Sequence, residues 1–345
     1  TAAAVLALEE DGALSTRDSL PRFFEDVPPD KRGITLRHLL THASGLPPAL
    51  GSDYDTVDRE AFVGMALEAP LASEPGERYR YSNVGYSLLA AVVEIASGRG
   101  YEAYLRGRLL EPAGLARTGY VLPDWPADSL AHGYRGDEDW GTPLDHSWAA
   151  DGPWWHLRGN GGMLSTAPEM TRWVRALREG RVLSDASVEE LWTAWIREGA
   201  GAPTRYGYGW VVERTSRQTK MVWHDGGNGW FRADVRSDLD EQLTIFTASN
   251  AGGVTAMDLR GGLQAVAFAD DPAARAEEAL ARLEKRVSAR RARREAVGRA
   301  VEEGMGGGFP DVPAGRRARE LVAFLNGKGP GPEAYVRDAA AASLL

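Results

Sequence analysis

The second half of this chain changes its residue pattern in a way that restricts the folds open to it. Four short segments rich in β-branched and aromatic residues follow one another with turn-length connections: Tyr208 to Glu213, Lys220 to His224, Gly229 to Val235 and Glu241 to Ala248. Such a series predicts an antiparallel meander of strands. The helical pattern from Val254 to Phe268 then predicts a helix that closes the sheet.

The first half has helical spacing instead. The apolar opening from Thr1 to Leu8 predicts the interior of a helix, and Thr35 is an N-cap candidate for a short helix from Leu36 to Ala43. A longer helix is predicted after Asn83 and should end at Gly98. Helices first and consecutive strands afterwards predict an α+β fold, with a helical lobe and an antiparallel sheet flanked by helices, and exclude a doubly wound parallel sheet.

Composition excludes several classes of function. Acidic residues outnumber basic residues by 49 to 40, so nucleic acid is a poor general partner. The chain has no cysteine, which excludes disulfides, a thiol nucleophile and cysteine-ligated zinc. No window reaches the roughly 18 to 20 apolar residues of a membrane-spanning helix. No motif implies a metal or an organic cofactor.

Two common catalytic motifs are missing. Neither Gly-x-Ser-x-Gly nor His-Glu-x-x-His occurs. His38 and His42 have metal-ligand spacing, but no third ligand is near, so we interpret them as histidines that hold the short helix by hydrogen bonds. The glycine stretches 159–162 and 226–229 lack the flanking strand and helix of a phosphate loop, and tight turns account for them.

Four segments, taken together, are not explained by turns or caps. They are Ile34 to Leu46, Pro75 to Tyr86, Gly161 to Thr166 and Trp223 to Gly227, in that order. With these segments the chain resembles the serine β-lactamase and penicillin-binding-protein-like family, in its class C, D-peptidase and esterase branch, over about residues 1–268. The resemblance implies a β-lactamase-like fold and a serine hydrolase that acts through an acyl-enzyme on a peptide or another small substrate.

Family members use four catalytic elements, and three of them match this sequence. Tyr81-Ser82-Asn83 matches the Tyr-x-Asn motif, and His224-Asp225-Gly226 matches the Lys-Thr-Gly motif in a His-x-Gly form. Gly227 matches the residue that donates one N–H to the oxyanion. The Ser-x-x-Lys motif is absent, because the residues three positions before the four lysines are Pro28, Arg217, Arg282 and Leu325.

The missing motif leads to an expectation about the rest of the enzyme. In the family, Ser-x-x-Lys immediately precedes a segment like Thr1 to Gly12, so we expect the nucleophile a few residues before Thr1 and this chain to be an inactive fragment. The family's first sheet strands also precede that serine, so the strand Glu241 to Ala248 should be an unpaired edge. The resemblance leaves a periplasmic or secreted location open.

The resemblance also gives each matched residue an expected role. Tyr81 should shuttle protons, which requires a nearby cation, either the missing lysine or His224, because tyrosine ordinarily titrates near about 10. Asn83 should bind a substrate amide, with an N-cap of the following helix as the alternative. Gly226 should position the substrate and Gly227 should donate to the oxyanion, at points where a Cβ would obstruct a ligand.

His224 is the residue that bears on substrate choice. An imidazole is mostly neutral at pH 7, whereas a lysine in its place attracts a substrate carboxylate. We therefore predict that the enzyme depends less on a substrate carboxylate than true β-lactamases do. This favours D-amino-acid peptides, amides or esters as substrates. A histidine that merely fills a strand edge is the alternative. Trp154, Trp155, Trp223 and Trp230 are candidates for an aromatic wall, with core packing as their alternative.

Pattern and charge divide the chain into three parts. Residues 1–268 form the hydrolase domain, without its first strands and nucleophile; 269–308 are an arginine-rich linker helix and a glycine hinge; 309–345 begin a further, truncated helical segment. Two rival interpretations remain. One is a non-catalytic family member that binds peptidoglycan-like or D-amino-acid peptides. The other is a structural protein built around the helices of residues 271–345.

Overall fold

The computed structural model of the chain describes residues 1–126, 129–135, 138–250 and 256–269, together with short stretches between 271 and 292. The chain divides into two compact units, Thr1–Ala276 and Glu277–Leu345. The described positions of the second unit are helical. The predicted glycine hinge and the segment 309–345 lie outside the described residues.

The helical lobe comes from the first half of the chain. Its helices are α1 (Ala2–Glu10), α2 (Leu36–Leu40), α3 (Arg59–Glu68), α4 (Asn83–Ser97) and α5 (Tyr101–Leu105), and α5 continues as a π-helix (Arg106–Leu110). Two further helices, α6 (Ala167–Arg178) and α7 (Asp185–Leu191), precede the main sheet, and α8 (Ala256–Ala267) follows it. Residues 2–8 of α1 are all buried, and α1 packs against α4 and α7, as expected for a helix that is apolar on every side.

Helix α2 begins with the predicted cap. The Thr35 hydroxyl accepts a hydrogen bond from the His38 N–H at 3.2 Å, and His38 Nδ1 accepts one from the Thr35 N–H at 3.3 Å. This reciprocal pair confirms that His38 holds the helix by hydrogen bonds. The helix ends at Leu40 instead of Ala43, because His42 has a φ of 55°, which a right-handed helix does not contain.

Helix α4 is bounded by one residue at each end. The Ser82 hydroxyl accepts from the Gly85 N–H at 3.2 Å, and Gly98 ends the helix with a φ of 64°. Asn83 is the first helical residue, and its N–H donates to the Pro48 carbonyl oxygen at 2.9 Å. The N-cap role considered for Asn83 is therefore wrong, because the neighbouring hydroxyl performs it.

The second half of the chain forms the antiparallel sheet that its pattern predicts. A hairpin of β1 (Gly133–Arg135) and β2 (Glu138–Gly141) comes first. The main sheet has six strands in chain order: β3 (Ile196–Arg197), β4 (Arg205–Tyr206), β5 (Val211–Arg214), β6 (Lys220–Gly227), β7 (Arg232–Asp238) and β8 (Leu243–Ser249). Helices α6 and α8 both pack against β7 and β8, which confirms the α+β class. Among the described strands β8 pairs only with β7, so it is a sheet edge, as predicted.

The strand boundaries differ from prediction where turns intervene. The segment predicted to begin at Tyr208 is a strand only from Val211, because the Tyr208 N–H donates to the Leu191 carbonyl oxygen at 3.0 Å and Gly209 has a φ of 78°. Likewise β7 begins at Arg232, not at Gly229. A φ of 87° places that glycine in the turn before the strand.

Candidate active site

A cavity of about 220 Å³ lies between the start of α1 and the sheet. Its walls include Thr1 to Ala3, Tyr81 from the segment before α4, and His224 from β6. The structure therefore brings together the two residues predicted to be catalytic, although 143 positions separate them in the chain. Asn83, Gly226 and Gly227 are not among the residues that line this cavity.

Tyr81 is held at the cavity by its neighbours in the chain. The Arg80 N–H donates to the His42 carbonyl oxygen at 2.7 Å, and the Ser82 N–H donates to His42 Nδ1 at 3.1 Å. The Tyr81 ring lies 4.2 Å from the His42 ring and 6.4 Å from the His224 ring, measured between centroids. Tyr81 is 39% exposed, and among the described residues its hydroxyl has no hydrogen bond, so the hydroxyl is open to a ligand.

Both predicted catalytic residues are held in their neutral forms. Burial, with a smaller contribution from the Asp225 carboxylate, raises the pKa of Tyr81, so its hydroxyl stays protonated near pH 7. Burial lowers the pKa of His224, against the opposing effect of Asp225 and Glu198. The expectation that His224 supplies a cation for Tyr81 is therefore wrong, because a neutral imidazole does not stabilise a phenolate.

The end of β6 has an open side among the described strands. Strand β5 pairs with β6 only over residues 220–223, whereas β7 pairs with it as far as Gly227. The next pair is bonded across the hairpin, because the Asn228 N–H donates to the Phe231 carbonyl oxygen at 3.2 Å. Bonded and non-bonded pairs alternate along an antiparallel ladder, so the N–H groups of Gly227 and Asp225 point to the open side. There they can donate to a substrate oxygen.

The two glycines of this strand end have different surroundings. A Cβ on Gly226 would meet no atom within 4 Å, so that position faces open space. A Cβ on Gly227 would lie 2.6 Å from the Phe231 carbonyl oxygen. The expected obstruction at Gly227 therefore arises within the β6–β7 turn and not from a ligand, because the turn brings two backbone segments into contact.

Sequence reasoning missed two residues that the fold places beside the predicted pair. His42, predicted to hold α2, lies beyond that helix and contacts Tyr81, and its Nε2 is 3.2 Å from the Tyr206 hydroxyl. Tyr206 also lies 3.0 Å from His224 Nε2. His42 stands in a segment that carries the family resemblance, so its motif was a signal. No sequence feature marks Tyr206.

The tryptophans near the cavity are not the predicted ones. Trp173 and Trp210 line it, whereas Trp154, Trp155, Trp223 and Trp230 do not. Trp155 is 5% exposed in the core, and the Arg236 guanidinium lies 4.4 Å from the Trp223 ring centroid. The packing alternative therefore accounts for Trp155 and Trp223, and an aromatic wall of Trp154 and Trp230 stays a prediction.

His42 is the group in this site whose charge state most affects stability. Burial lowers the pKa of His42 to about 3, and the nearby His224 acts in the same direction. The side chain is almost completely inaccessible, and the Ser82 N–H already occupies Nδ1. A proton added at that nitrogen would therefore require the Ser82 hydrogen bond to break.

Acidification should destabilise the folded chain through His42 by about 3 kcal/mol at pH 4. In the unfolded chain His42 takes up a proton at the ordinary pKa of 6.5, whereas in the folded chain it does so only at about 3. This contribution to the stability of the folded state is therefore fully present above pH 6.5, and it decreases as the pH falls from 6.5 toward 3. The measurement is the free energy of unfolding in urea at pH 7 and pH 4, for the parent and His42→Asn. Asparagine tolerates the φ of 55°. The parent should be more stable than His42→Asn by a smaller margin at pH 4 than at pH 7. A difference in the free energy of unfolding that does not change with pH would contradict a lowered pKa for His42.

The described residues show neither a membrane-spanning helix nor a grouped set of metal ligands. No helix there has both the length and the apolar composition needed to cross a membrane. Within the same residues, no three acidic or histidine side chains are grouped so that they could hold a metal ion.

Comparisons with known proteins identify the family of this chain. A family model described as beta-lactamase matches residues 1–270. Penicillin-binding protein 4* of Bacillus subtilis is 30% identical over 269 residues, which cover 72% of this chain and 58% of that protein. The chain spans about half the length of the first curated relatives it matches.

Solved structures show the same fold. A penicillin-binding protein from Bacillus halodurans superposes with a TM-score of 0.65 at 25% identity, over 77% of this chain and 82% of that one. A D-amino acid amidase from Ochrobactrum anthropi, solved with D-phenylalanine, gives a TM-score of 0.58 at 24% identity, over 72% of this chain and 82% of that one. At that identity the likeness to the amidase is one of fold.

Proposed function

The chain belongs to the β-lactamase family of serine hydrolases, and from that premise we propose that it forms part of an enzyme that cleaves D-amino-acid peptides, amides or esters through an acyl-enzyme. The observation that carries the proposal is the cavity in which Tyr81 and His224 meet the first residues of α1.

The nucleophile is the part of the machinery that these 345 residues do not contain, since no Ser-x-x-Lys occurs among them. Thr1 to Ala3 line the cavity, so a continuation of α1 before Thr1 would bring its next turn to the same space. Residues three apart lie on one face of a helix, and a serine and a lysine with that spacing would both face Tyr81. We infer that the chain by itself is inactive for this reason.

Each remaining group has a proposed task. Tyr81 carries a proton that it can give to the leaving group, and it can act as a base only when a cation such as the lysine is beside it. The Gly227 N–H donates to the oxyanion from the open side of β6. Gly226 leaves room for the substrate along the strand. Asn83, at the start of α4, is proposed to bind the substrate amide.

The charges around His224 support a substrate without a carboxylate. His224 is neutral, and the carboxylates of Asp225 and Glu198 act on it; the Asp234 carboxylate also does, but it is buried and paired with Arg236 at 3.2 Å. A substrate carboxylate would meet negative charge where many family members offer a lysine. Esters and amides carry no such charge and avoid that repulsion.

The test uses the chain extended before Thr1 by a helical turn that carries Ser-x-x-Lys. We expect it to hydrolyse p-nitrophenyl acetate and D-phenylalanine p-nitroanilide, and penicillin G at least about tenfold more slowly, since one charge-assisted hydrogen bond is missing. The control is the 345-residue chain, which should show no hydrolysis above background. Equal turnover of penicillin would contradict the substrate class, and a Tyr81-dependent rate in the unextended chain would contradict the account of the nucleophile.

The absence of Ser-x-x-Lys from this chain also favours a second candidate function. A non-catalytic family member could bind peptidoglycan-like or D-amino-acid peptides along the open side of β6. That reading predicts measurable affinity for a D-alanyl-D-alanine peptide in both the extended and unextended chains, with hydrolysis in neither.

A further inference from the structure

Three side chains in the cavity wall form a continuous hydrogen-bonded series. His42 Nε2 lies 3.2 Å from the Tyr206 hydroxyl, and that hydroxyl lies 3.0 Å from His224 Nε2. The series joins the loop after α2, the strand β4 and the strand β6. Tyr206 is almost completely buried, so its hydroxyl bonds are made within the protein and not with bulk water.

The direction of the series follows from the backbone group at its start. The Ser82 N–H can only donate, and it donates to His42 Nδ1 at 3.1 Å. A neutral imidazole carries one proton, so His42 must carry it on Nε2 and donate to the Tyr206 oxygen. Tyr206 has one proton, and two acceptors lie near it: His224 Nε2 at 3.0 Å and the Tyr86 oxygen. The imidazole nitrogen is the more basic of the two, so it is the favoured acceptor. His224 is left with its proton on Nδ1, and the Asp225 backbone is a hydrogen-bond partner of its ring.

We propose that Tyr206 is a positioning residue that, oriented by His42, holds His224 as the neutral Nδ1–H tautomer with its Nε2 lone pair occupied. The tautomer itself does not depend on the proposed function; only its consequence for proton transfer during catalysis rests on that function. The consequence is a division of tasks. With Nε2 occupied, His224 does not take a proton from the substrate or the nucleophile, and the proton shuttle falls to Tyr81 alone.

The other groups around Tyr206 do not supply a competing donor for His224 Nε2. The Tyr86 hydroxyl donates to the Leu40 carbonyl oxygen at 2.8 Å, so its proton is already used. Tyr79 interacts with the Glu198 carboxylate, which can accept a hydrogen bond but not donate one. The Ser82 N–H therefore sets the His42 tautomer, and the greater basicity of imidazole over the Tyr86 oxygen favours the bond from Tyr206 to His224.

The test is an NMR measurement on the full 345-residue chain labelled with ¹⁵N-histidine, and it needs no catalytic activity. Long-range ¹H–¹⁵N correlations distinguish a protonated ring nitrogen from an unprotonated one. At pH 7 we expect opposite tautomers, with His42 protonated on Nε2 and His224 protonated on Nδ1. Single substitutions at each histidine assign the signals. A His224 signal of the Nε2–H tautomer, or of a doubly protonated ring, would overturn the proposal.

Variants then separate positioning from packing. Tyr206→Phe keeps the ring and removes the donor, so the His224 Nε2 signal should shift toward the protonated type. Tyr208→Phe is the matched control, because Tyr208 lines the same cavity but its hydroxyl accepts from Arg37 Nε at 2.9 Å. It should leave both histidine signals in place. An unchanged His224 signal in folded Tyr206→Phe would refute the role of Tyr206.

A second variant covers the case in which Tyr206→Phe does not fold. His42→Asn is too short to donate to Tyr206, which frees that hydroxyl to accept from His224 as well as to donate. The Nε2–H tautomer of His224 should then become more populated. No change in His224 in this variant would show that His42 does not orient the series. Turnover by the extended chain tests the proposed function separately, since the tautomer is read without any substrate.

Discussion

Replacing Tyr81 by phenylalanine in the chain extended with Ser-x-x-Lys should lower kcat for p-nitrophenyl acetate by about 100- to 10,000-fold. Tyr81 is the one proposed proton carrier at the cavity, since His224 is neutral and bonded at Nε2 to Tyr206. The variant loses only the hydroxyl. Its ring can still pack against His42, where the centroids are 4.2 Å apart, so the fold should survive and the loss should be one of chemistry.

A second tyrosine provides a matched control for that measurement. Tyr134 in β1 is 38% exposed, against 39% for Tyr81, and neither hydroxyl has a hydrogen bond among the described residues. Tyr134 does not line the cavity. Tyr134→Phe should therefore retain the parent rate. A Tyr81→Phe rate equal to that of Tyr134→Phe would show that Tyr81 does not shuttle protons.

Replacing Gly45 by alanine should cost about 3 kcal/mol or more of folding free energy. Two effects add at this position. Gly45 has a φ of 79°, where an L-residue is strained, and an added Cβ would lie 2.1 Å from the Ser73 carbonyl oxygen. The Ser73 carbonyl belongs to the backbone, which cannot move aside as the end of a flexible side chain can. The segment that carries Gly45 and His42 would therefore have to shift. Urea denaturation monitored by circular dichroism measures the loss.

Gly98 separates the two effects in the Gly45 variant. It has a φ of 64°, but a Cβ there would meet nothing within 4 Å. Gly98→Ala should therefore cost only about 1 kcal/mol, the strain of a left-handed alanine. Equal losses at the two positions would mean that the contact with Ser73 adds nothing and that the positive φ alone accounts for the cost at Gly45.

Local patterns predicted the elements whose signals lie within a few residues. Thr35 caps α2 and Gly98 ends α4, because each forms its bonds with residues of the same helix. The strand boundaries were less predictable. Tyr208 has the residue type of a strand, yet its N–H bonds to Leu191 in a different element, and no property of the local sequence indicates that partner.

The candidate site also has a part that the sequence predicts and a part that only the fold supplies. Tyr81 and His224 were predicted from motifs, and the fold places them at one cavity. Their charge states were not predictable, because a pKa depends on burial and on neighbours that folding supplies. Tyr206 had no sequence signal at all, since its importance lies in two hydrogen bonds to residues on other elements.

The sequence by itself determined the order of helices and strands, the caps and the residue types that could carry acyl transfer. Those properties depend on spacing and on side-chain chemistry, which are written along the chain. Only the tertiary structure decided that His224 Nε2 lies within hydrogen-bond distance of the Tyr206 hydroxyl and that Tyr81 lies at the same cavity. His42 and Tyr206 are 164 positions apart, and their hydrogen bond exists only because the packed lobe and sheet bring them together and exclude water.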